Sequence, residues 1–211
     1  MRANRADRRD LTTLTGDEYR DAMRERYSTG EAPWDSGRPS TELIRTVEAG
    51  ELAGSSLIEL GCGTGTNAVE LARRGYRVKA IDLVDLAIQK ARERARRAGV
   101  EVDFVVGDLT VADLGGPYDC VFDLGVYHGM RLRNLRGFLS TLGQVSRRGT
   151  RWLSLAGNAR EALPDGPPVV REEEFRSELA PMFRIVRARE FRFDLRPDFQ
   201  PLAWSILAER R

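Results

Sequence analysis

The chain has 211 residues, of which 41% are hydrophobic and 31% charged, and its formal net charge is +2. That length suits one domain with a sizeable core, and the composition is ordinary for a globular protein. No apolar run approaches the roughly 20 residues of a membrane helix, and Cys62 and Cys120 suggest neither a disulfide framework nor a zinc site.

Of 34 basic residues only Lys79 and Lys90 are lysines, but 32 acidic residues are interspersed among them. This near-cancellation argues against a dedicated nucleic-acid surface. The opening MRANRADRRD lacks the apolar stretch of a secretory signal, so the expected location is cytoplasmic.

Residues 1–39 are expected to form a cover segment and gate loop, and residues 40–211 a single domain. Asp17 to Tyr27 can form a short helix with Tyr19, Met23 and Tyr27 on one face. APWDSGRPS is a loop by its Pro, Gly and Ser content. TELIRTVEAGEL follows as a helix, with Ser40 or Thr41 as N-cap and Gly50 as a stop. From Ser56 onward strands and helices alternate. SLIEL is a buried strand, NAVELARR a helix and YRVKAIDL the next strand. Asp85 can cap LAIQKARERARRAG, in which Ala87, Ala91 and Ala95 share a face. VDFVVGD and YDCVFDLG are the third and fourth strands, RLRNLRGFLSTLGQV a helix and RWLSLAG the fifth strand. A Pro/Gly-rich loop and a short helix, REEEFRSEL, lead to two last strands. The pattern predicts an α/β fold, a doubly wound and mostly parallel seven-stranded sheet of Rossmann-like type. The last two strands lack an intervening helix, so they should pair antiparallel at an edge.

Ligands of such sheets sit beyond the carboxyl ends of the strands, at the point where strand order reverses. ELGCGTGTN, Glu59 to Asn67, falls at the first strand-to-helix turn. Its glycines let a ligand approach the main chain, and the following helix offers unpaired N–H groups to an anion. Asp82 ends the second strand, where it can accept bonds from a ribose diol. Asp108 ends the third, where it can accept one from an exocyclic amine such as that of adenine. The glycines run G-x-G-x-G from Gly61, with Thr66 where a dinucleotide fingerprint needs its third glycine. Glu59 would repel a pyrophosphate and welcome an ammonium. Both observations count against NAD.

The stretch IELGCGTGTNAVELARRGYRVKAIDL resembles motif I and the acidic second-strand loop of class I S-adenosylmethionine-dependent methyltransferases. The likeness runs from about Trp34 to the C-terminus. APWDSGRPS resembles an element that precedes the core in thiol/halide methyltransferases and in bacterial enzymes acting on quinone or hydroxy-aromatic compounds. FDLGVYHGM is similar to their fourth-strand region. The resemblance implies S-adenosyl-L-methionine as cofactor. It places the loop of Gly61, Cys62, Gly63 and Gly65 against the methionine part, with Glu59 near its ammonium and Asn67 assisting its carboxylate. It also implies Asp82 on the ribose, Leu83, Asp108 and Leu109 around the adenine, Trp34 over the cofactor, and Asp123 bordering the methyl group.

Methyl transfer from a sulfonium is an in-line displacement that calls mainly for positioning and desolvation. No metal is required, and no ligand set is visible. His128 is the sole histidine. It is either a base for the acceptor or a loop residue bonded to backbone. Tyr127 is either substrate wall or core. Asp35 either orients the gate, contacts substrate or serves a turn. Tyr27 and its helical face either form, with the loop from Asn158 to Val170, a lid over the substrate pocket or are a surface helix packed on the domain. The expected function is methyl transfer to a small thiol, or to an aromatic hydroxyl or quinone-type compound, by a monomer or homodimer without nucleic-acid or membrane partners. A nicotinamide-dependent oxidoreductase and a non-catalytic S-adenosylmethionine-binding protein are the alternatives. A nucleic-acid amino-methyltransferase is disfavoured by DLGV, which lacks the proline motif of such enzymes after strand four.

Overall fold

The computed structural model describes residue 11 and residues 14–163, 166–195 and 199–211. The basic decapeptide at the N-terminus and two residues of the proposed Asn158–Val170 lid loop lie outside that set.

The elements in chain order are α1 (Gly16–Thr29), α2 (Thr41–Glu48), β1 (Ser56–Leu60), α3 (Thr66–Arg73), β2 (Arg77–Asp82), α4 (Asp85–Ala98), β3 (Asp103–Val106), β4 (Tyr118–Leu124), α5 (Tyr127–Val145), β5 (Ser146–Asn158), a 3-10 turn (Ala159–Glu161), β6 (Val169–Val170), α6 (Glu172–Leu179), β7 (Phe183–Arg192) and β8 (Leu202–Arg210). The strand order is β3-β2-β1-β4-β5-β8-β7, with β6 paired to β5. From β1 the chain winds outward through β2 and β3, then returns to lay β4 on the other side of β1. The order therefore reverses between β1 and β4, which is where a crevice opens in such sheets. β1 to β5 pair in parallel, while β8 runs antiparallel to both β5 and β7. The last two strands pair as the missing helix demanded. The seven predicted strands are joined by β6, whose two residues are too few to leave a sequence period.

Period-two alternation divides β1 between two cores. Leu57 faces the core under α2, α3 and α4, with Leu43, Leu71 and Ile88. Ile58 and Leu60 face the core under α5 and α6, with Phe138, Leu142 and Phe175. Each such side chain, fully withdrawn from water, contributes about 1.5–3 kcal/mol. The aromatic centre of the second core is Trp152, with Tyr127, Phe138 and Phe183 at centroid distances of 5.4–5.9 Å.

Two helix starts differ from expectation. α4 begins at Asp85 with Val84 as its cap residue, so Asp85 is the first helical position. It complements the helix dipole there and pairs with Arg24 of α1. α5 starts at Tyr127, not Arg131, and bends at Asn134, whose backbone is non-helical. The Asn134 side chain accepts from Gly137 N–H at 2.9 Å and so caps the second half.

α1 belongs to neither main core. Tyr27 packs with Ala32, Val84 and Ala87 in a small separate cluster, with Met23, Trp34, Leu83 and Leu86 around it. The helix thus lies over the first turn of α4, and Arg133 of α5 sits 4.0 Å from the centre of the Tyr19 ring. It bridges the two helices above the strand ends.

Candidate functional site

β1 hands over to α3 through Gly61–Gly65. Gly63 and Gly65 have φ of 54° and 76°, a region other residues enter only at a cost. A Cβ on Gly65 would stand 2.7 Å from the Ala91 methyl, and one on Gly63 would stand 2.9 Å from the Tyr27 hydroxyl. The sequence suggested that a ligand keeps these positions bare. The fold adds its own reason, since α4 and α1 press on the loop from outside. Asp82 pins that loop. Its Oδ2 accepts from Gly63 N–H at 2.8 Å and its Oδ1 from Val84 N–H at 2.9 Å. Each oxygen keeps a second lone pair. Burial raises the Asp82 carboxyl, against the hydrogen bonds it accepts.

Beside the loop is a cleft lined by Trp34, Arg38, Ser40, Glu59, Thr66 and Asn67, among others. Glu59 is 1% exposed. Its Oε1 accepts from Asn67 Nδ2 at 3.3 Å, while its Oε2 has no partner. Burial pushes this carboxyl up to about 8. Asn67 is itself held, its Oδ1 accepting from Ser40 N–H at 2.9 Å. Among the described residues, four buried side-chain polar atoms lack a partner: Ser40 Oγ, Glu59 Oε2, Thr66 Oγ1 and Ser154 Oγ. The first three belong to residues that line this one cleft. Buried polar atoms are nearly always satisfied, so this concentration suits a polar ligand. The carboxylate suits an ammonium, the hydroxyls suit either partner, and Arg38 adds a cation.

The gate forms one wall. Trp34 Nε1–H donates to the Tyr27 hydroxyl at 3.1 Å, and the two rings meet edge to face at 6.2 Å. Arg26 lies 5.6 Å from the centre of the indole. Thr64 of the glycine loop donates to Asp35 Oδ1 at 2.6 Å. Tyr27 is 3% exposed and lies on the loop.

On the nucleoside side, Leu83 is half-buried beside Tyr27. Asp108 is exposed, and its Oδ1 accepts from Thr110 N–H and Oγ1–H, each at 2.8 Å, in an Asx turn. Leu109 packs on the α5 core. Asp82 and the Asp108 turn stand at the same end of adjacent strands.

Four expected site residues are committed elsewhere. His128 is 5% exposed, and its Nδ1 accepts from Gly157 N–H at 2.8 Å. The neutral ring then carries its proton on Nε2, which leaves no nitrogen to receive one. Burial also drops its pKa to about 4. It is a backbone anchor, not a base. Tyr127 is fully buried among aromatic rings and donates to Glu178 Oε2 at 2.5 Å, so it is core and no wall of a pocket. Asn158 is 1% exposed. It accepts from Arg160 N–H and donates to Glu190, each at 2.9 Å, which makes it the cap of the 3-10 turn. Asp123 Oδ1 accepts from Val126 and Tyr127 N–H, and its Oδ2 accepts from Trp152 Nε1–H at 3.0 Å. It holds the start of α5, and its neighbour Leu124 lines the cleft instead. Burial raises the Asp123 carboxyl to about 6.

Cys62 is buried and its thiol is raised well above the usual range by burial, so it is unreactive. Sequence reasoning missed Arg38, Ser40, Thr64 and Thr66 as site residues. Arg38 and Ser40 flank the proline of APWDSGRPS, Thr64 lies between Gly63 and Gly65, and Thr66 opens α3 directly after the loop, so both quoted motifs contained them. Among the described residues no helix is long and apolar enough to cross a membrane.

A methyltransferase-domain family model matches residues 57–149. The chain is 28% identical over 148 residues to the 2-heptyl-1-hydroxyquinolin-4(1H)-one methyltransferase of Mycobacteroides abscessus, covering 68% of this chain and 65% of that relative's own length. A solved structure concerned with conversion of a disulfide bond into a thioacetal group during echinomycin biosynthesis superposes with a TM-score of 0.78 at 26% identity, covering 90% and 91% of the two chains. Magnesium protoporphyrin IX methyltransferase of Synechocystis PCC 6803, solved with bound SAM, superposes with a TM-score of 0.67 at 20% identity, covering 94% and 99%.

Proposed function

We propose that the chain is a class I S-adenosylmethionine-dependent methyltransferase and that it transfers a methyl group from S-adenosyl-L-methionine to a small-molecule nucleophile, a thiol or an aromatic or N-linked hydroxyl. The observation that carries the reading is the partnerless Oε2 of Glu59, in one cleft with the partnerless hydroxyls of Ser40 and Thr66. An amino-acid zwitterion fits this set. Glu59 takes the ammonium, the Thr66 and Ser40 hydroxyls are placed for hydrogen bonds, and Arg38 faces the carboxylate. A pyrophosphate does not fit beside a buried carboxylate. Asp82 and the Asp108 turn then serve ribose and base, and Trp34 with Tyr27 closes the site against water.

When bound, the cofactor supplies an electrophilic methyl carbon on sulfur. The chain's residues then orient the acceptor and exclude water, and effective molarity supplies most of the acceleration. With His128 committed to backbone, the acceptor is one that ionises readily. The two substrate types follow from the hydroxyquinolone and disulfide-to-thioacetal chemistry of the similar proteins, whose named activities are theirs. Residues 14–39 act as the cover, and we place the protein in the cytoplasm as a monomer or homodimer.

The test is titration calorimetry with S-adenosylhomocysteine, NADH and buffer alone, followed by labelled-methyl transfer to a panel of thiols, phenols and N-hydroxy heterocycles. Binding of S-adenosylhomocysteine and labelling of one acceptor class support the reading. Binding of NADH alone overturns it.

A further inference from the structure

Thr64 is 4% exposed and joins three parts of the molecule that are far apart in sequence. Its hydroxyl donates to Asp35 Oδ1 of the gate at 2.6 Å. The same oxygen receives Arg94 Nη2–H of α4 at 3.3 Å, and Arg94 Nε–H bonds the Thr64 carbonyl at 3.0 Å. The guanidinium thus grips the threonine twice, and the threonine grips the gate. Asp35 is followed outward by the rest of the gate loop and preceded by Trp34, whose indole reaches the Tyr27 hydroxyl over Gly63. The contact closes a circuit: α4, glycine loop, gate, α1 and back to the loop.

We propose that Arg94–Thr64–Asp35 is a positioning relay that couples closure of the Trp34 gate to the cofactor-binding shape of the glycine loop. Asp35 acts through Thr64, not as a base. The inference rests on the reading of the cleft as an S-adenosylmethionine site. Three points carry it. First, the Thr64 hydroxyl is used in both directions, once as donor and once as acceptor, which a threonine in a loop chosen only for smallness need not do. Second, the bond that Asp35 receives is short, 2.6 Å, and spans the gate and the glycine loop directly. Third, Trp34 of the gate packs both on the cluster beneath α1 and on the edge of the core under α2, α3 and α4, and the charge-assisted bond to Asp35 adds a directed tie between gate and loop that apolar packing does not supply.

The experiment measures S-adenosylhomocysteine affinity by calorimetry, and melting temperature, for the parent, Thr64→Val, Thr64→Ser, Asp35→Leu, Asp35→Asn and the double variant Thr64→Val/Asp35→Leu. Valine keeps the volume and removes the hydroxyl. Loss of a bond to a charged group is expected to weaken binding about ten- to a hundredfold in Thr64→Val and in Asp35→Leu. Thr64→Ser restores most of it, and Asp35→Asn, which keeps an acceptor, loses less than Asp35→Leu. The double variant loses no more than the worse single one, because both cut the same link. Parent-like affinity in folded Thr64→Val, or additive losses in the double variant, overturns the relay. Should any variant fail to fold, the Thr64→Ser and Asp35→Asn pair still decides, since equal deep losses in both contradict a hydrogen-bond role. A parent that binds no S-adenosylhomocysteine sinks the cofactor reading instead, so the two failures are distinct.

Discussion

Asn67 Nδ2 donates to Glu59 Oε1 at 3.3 Å, and the other oxygen of Glu59 is buried with no partner. One residue thus fixes the rotamer of a carboxylate whose other oxygen has no partner among the described residues and is open to a ligand. The arrangement is costly for the free protein and favourable once a cation arrives.

The cost has a sign and a pH window. Burial moves the Glu59 carboxyl from an ordinary value near 4.5 to about 8. Between those values the folded protein keeps a proton that the unfolded chain has released, so stability falls as pH rises through the window. Melting temperatures of the free protein should decline between about pH 6.5 and 8, above the range in which His128 titrates in the unfolded chain, and Glu59→Gln should flatten a large part of that decline. Binding runs the other way. If an ammonium needs the ionised carboxylate, S-adenosylhomocysteine affinity of the parent rises by up to about tenfold per pH unit toward pH 8, and Glu59→Gln loses that rise. Calorimetry in two buffers of different ionisation enthalpy should show a proton released on binding.

His128 gives a prediction of opposite sign. Its pKa is displaced downward, from an ordinary value of 6.5 to about 4, by burial. The unfolded chain therefore takes up the proton first, and stability is lost as pH falls from 6.5 toward 4. The chain has one histidine, so its ring signals in an NMR titration need no assignment. A midpoint well below 6 is expected, and a midpoint near 6.5 would refute the buried-anchor role. His128→Ala should leave Gly157 N–H unpaired and cost about 1–3 kcal/mol in chemical unfolding.

Asp123→Asn tests the other residue reassigned from chemistry to structure. The amide can still accept at the start of α5, but its NH2 would confront Trp152 Nε1–H, two donors facing each other. A loss of about 2 kcal/mol in unfolding free energy is expected, with little change in the S-adenosylhomocysteine affinity of the folded protein. A variant with parent stability and collapsed affinity would return Asp123 to the ligand site.

Gly65→Ala should destabilise the fold by about 2–4 kcal/mol, from left-handed backbone strain and from overpacking against Ala91. Urea unfolding measures it. A variant as stable as the parent would mean that α4 can yield at that point.

Much of this was legible before any coordinates. The glycine loop, the acids at successive strand ends and the alternation of strands and helices are local patterns, and local patterns survive folding. The final strand pair was readable for the same reason, from the missing helix between Phe183–Arg192 and Leu202–Arg210. The residues after β4 were not. YH follows a strand end on the ligand side, yet the helix begins at Tyr127 itself. Its first turn rotates Tyr127 into the aromatic core and His128 onto the backbone of β5. Which way a helix's first side chains point depends on its exact start, and starts are the least certain feature of a sequence reading. Partners distant in the chain were likewise invisible. Thr64 meets Asp35 and Arg94 across 29 and 30 residues, and no short-range period encodes such meetings. Asn158 reads as a loop asparagine, and only the fold shows that its partners are Arg160 and Glu190.

The measurement that bears most directly on the central claim is a crystal structure with S-adenosylhomocysteine bound. The account predicts its ammonium nitrogen at hydrogen-bond distance, about 2.7–3.2 Å, from Glu59 Oε2, with the amino-acid end between Glu59 and Arg38. A ligand seated elsewhere, or one whose ammonium faces solvent while Glu59 stays unpartnered, contradicts it.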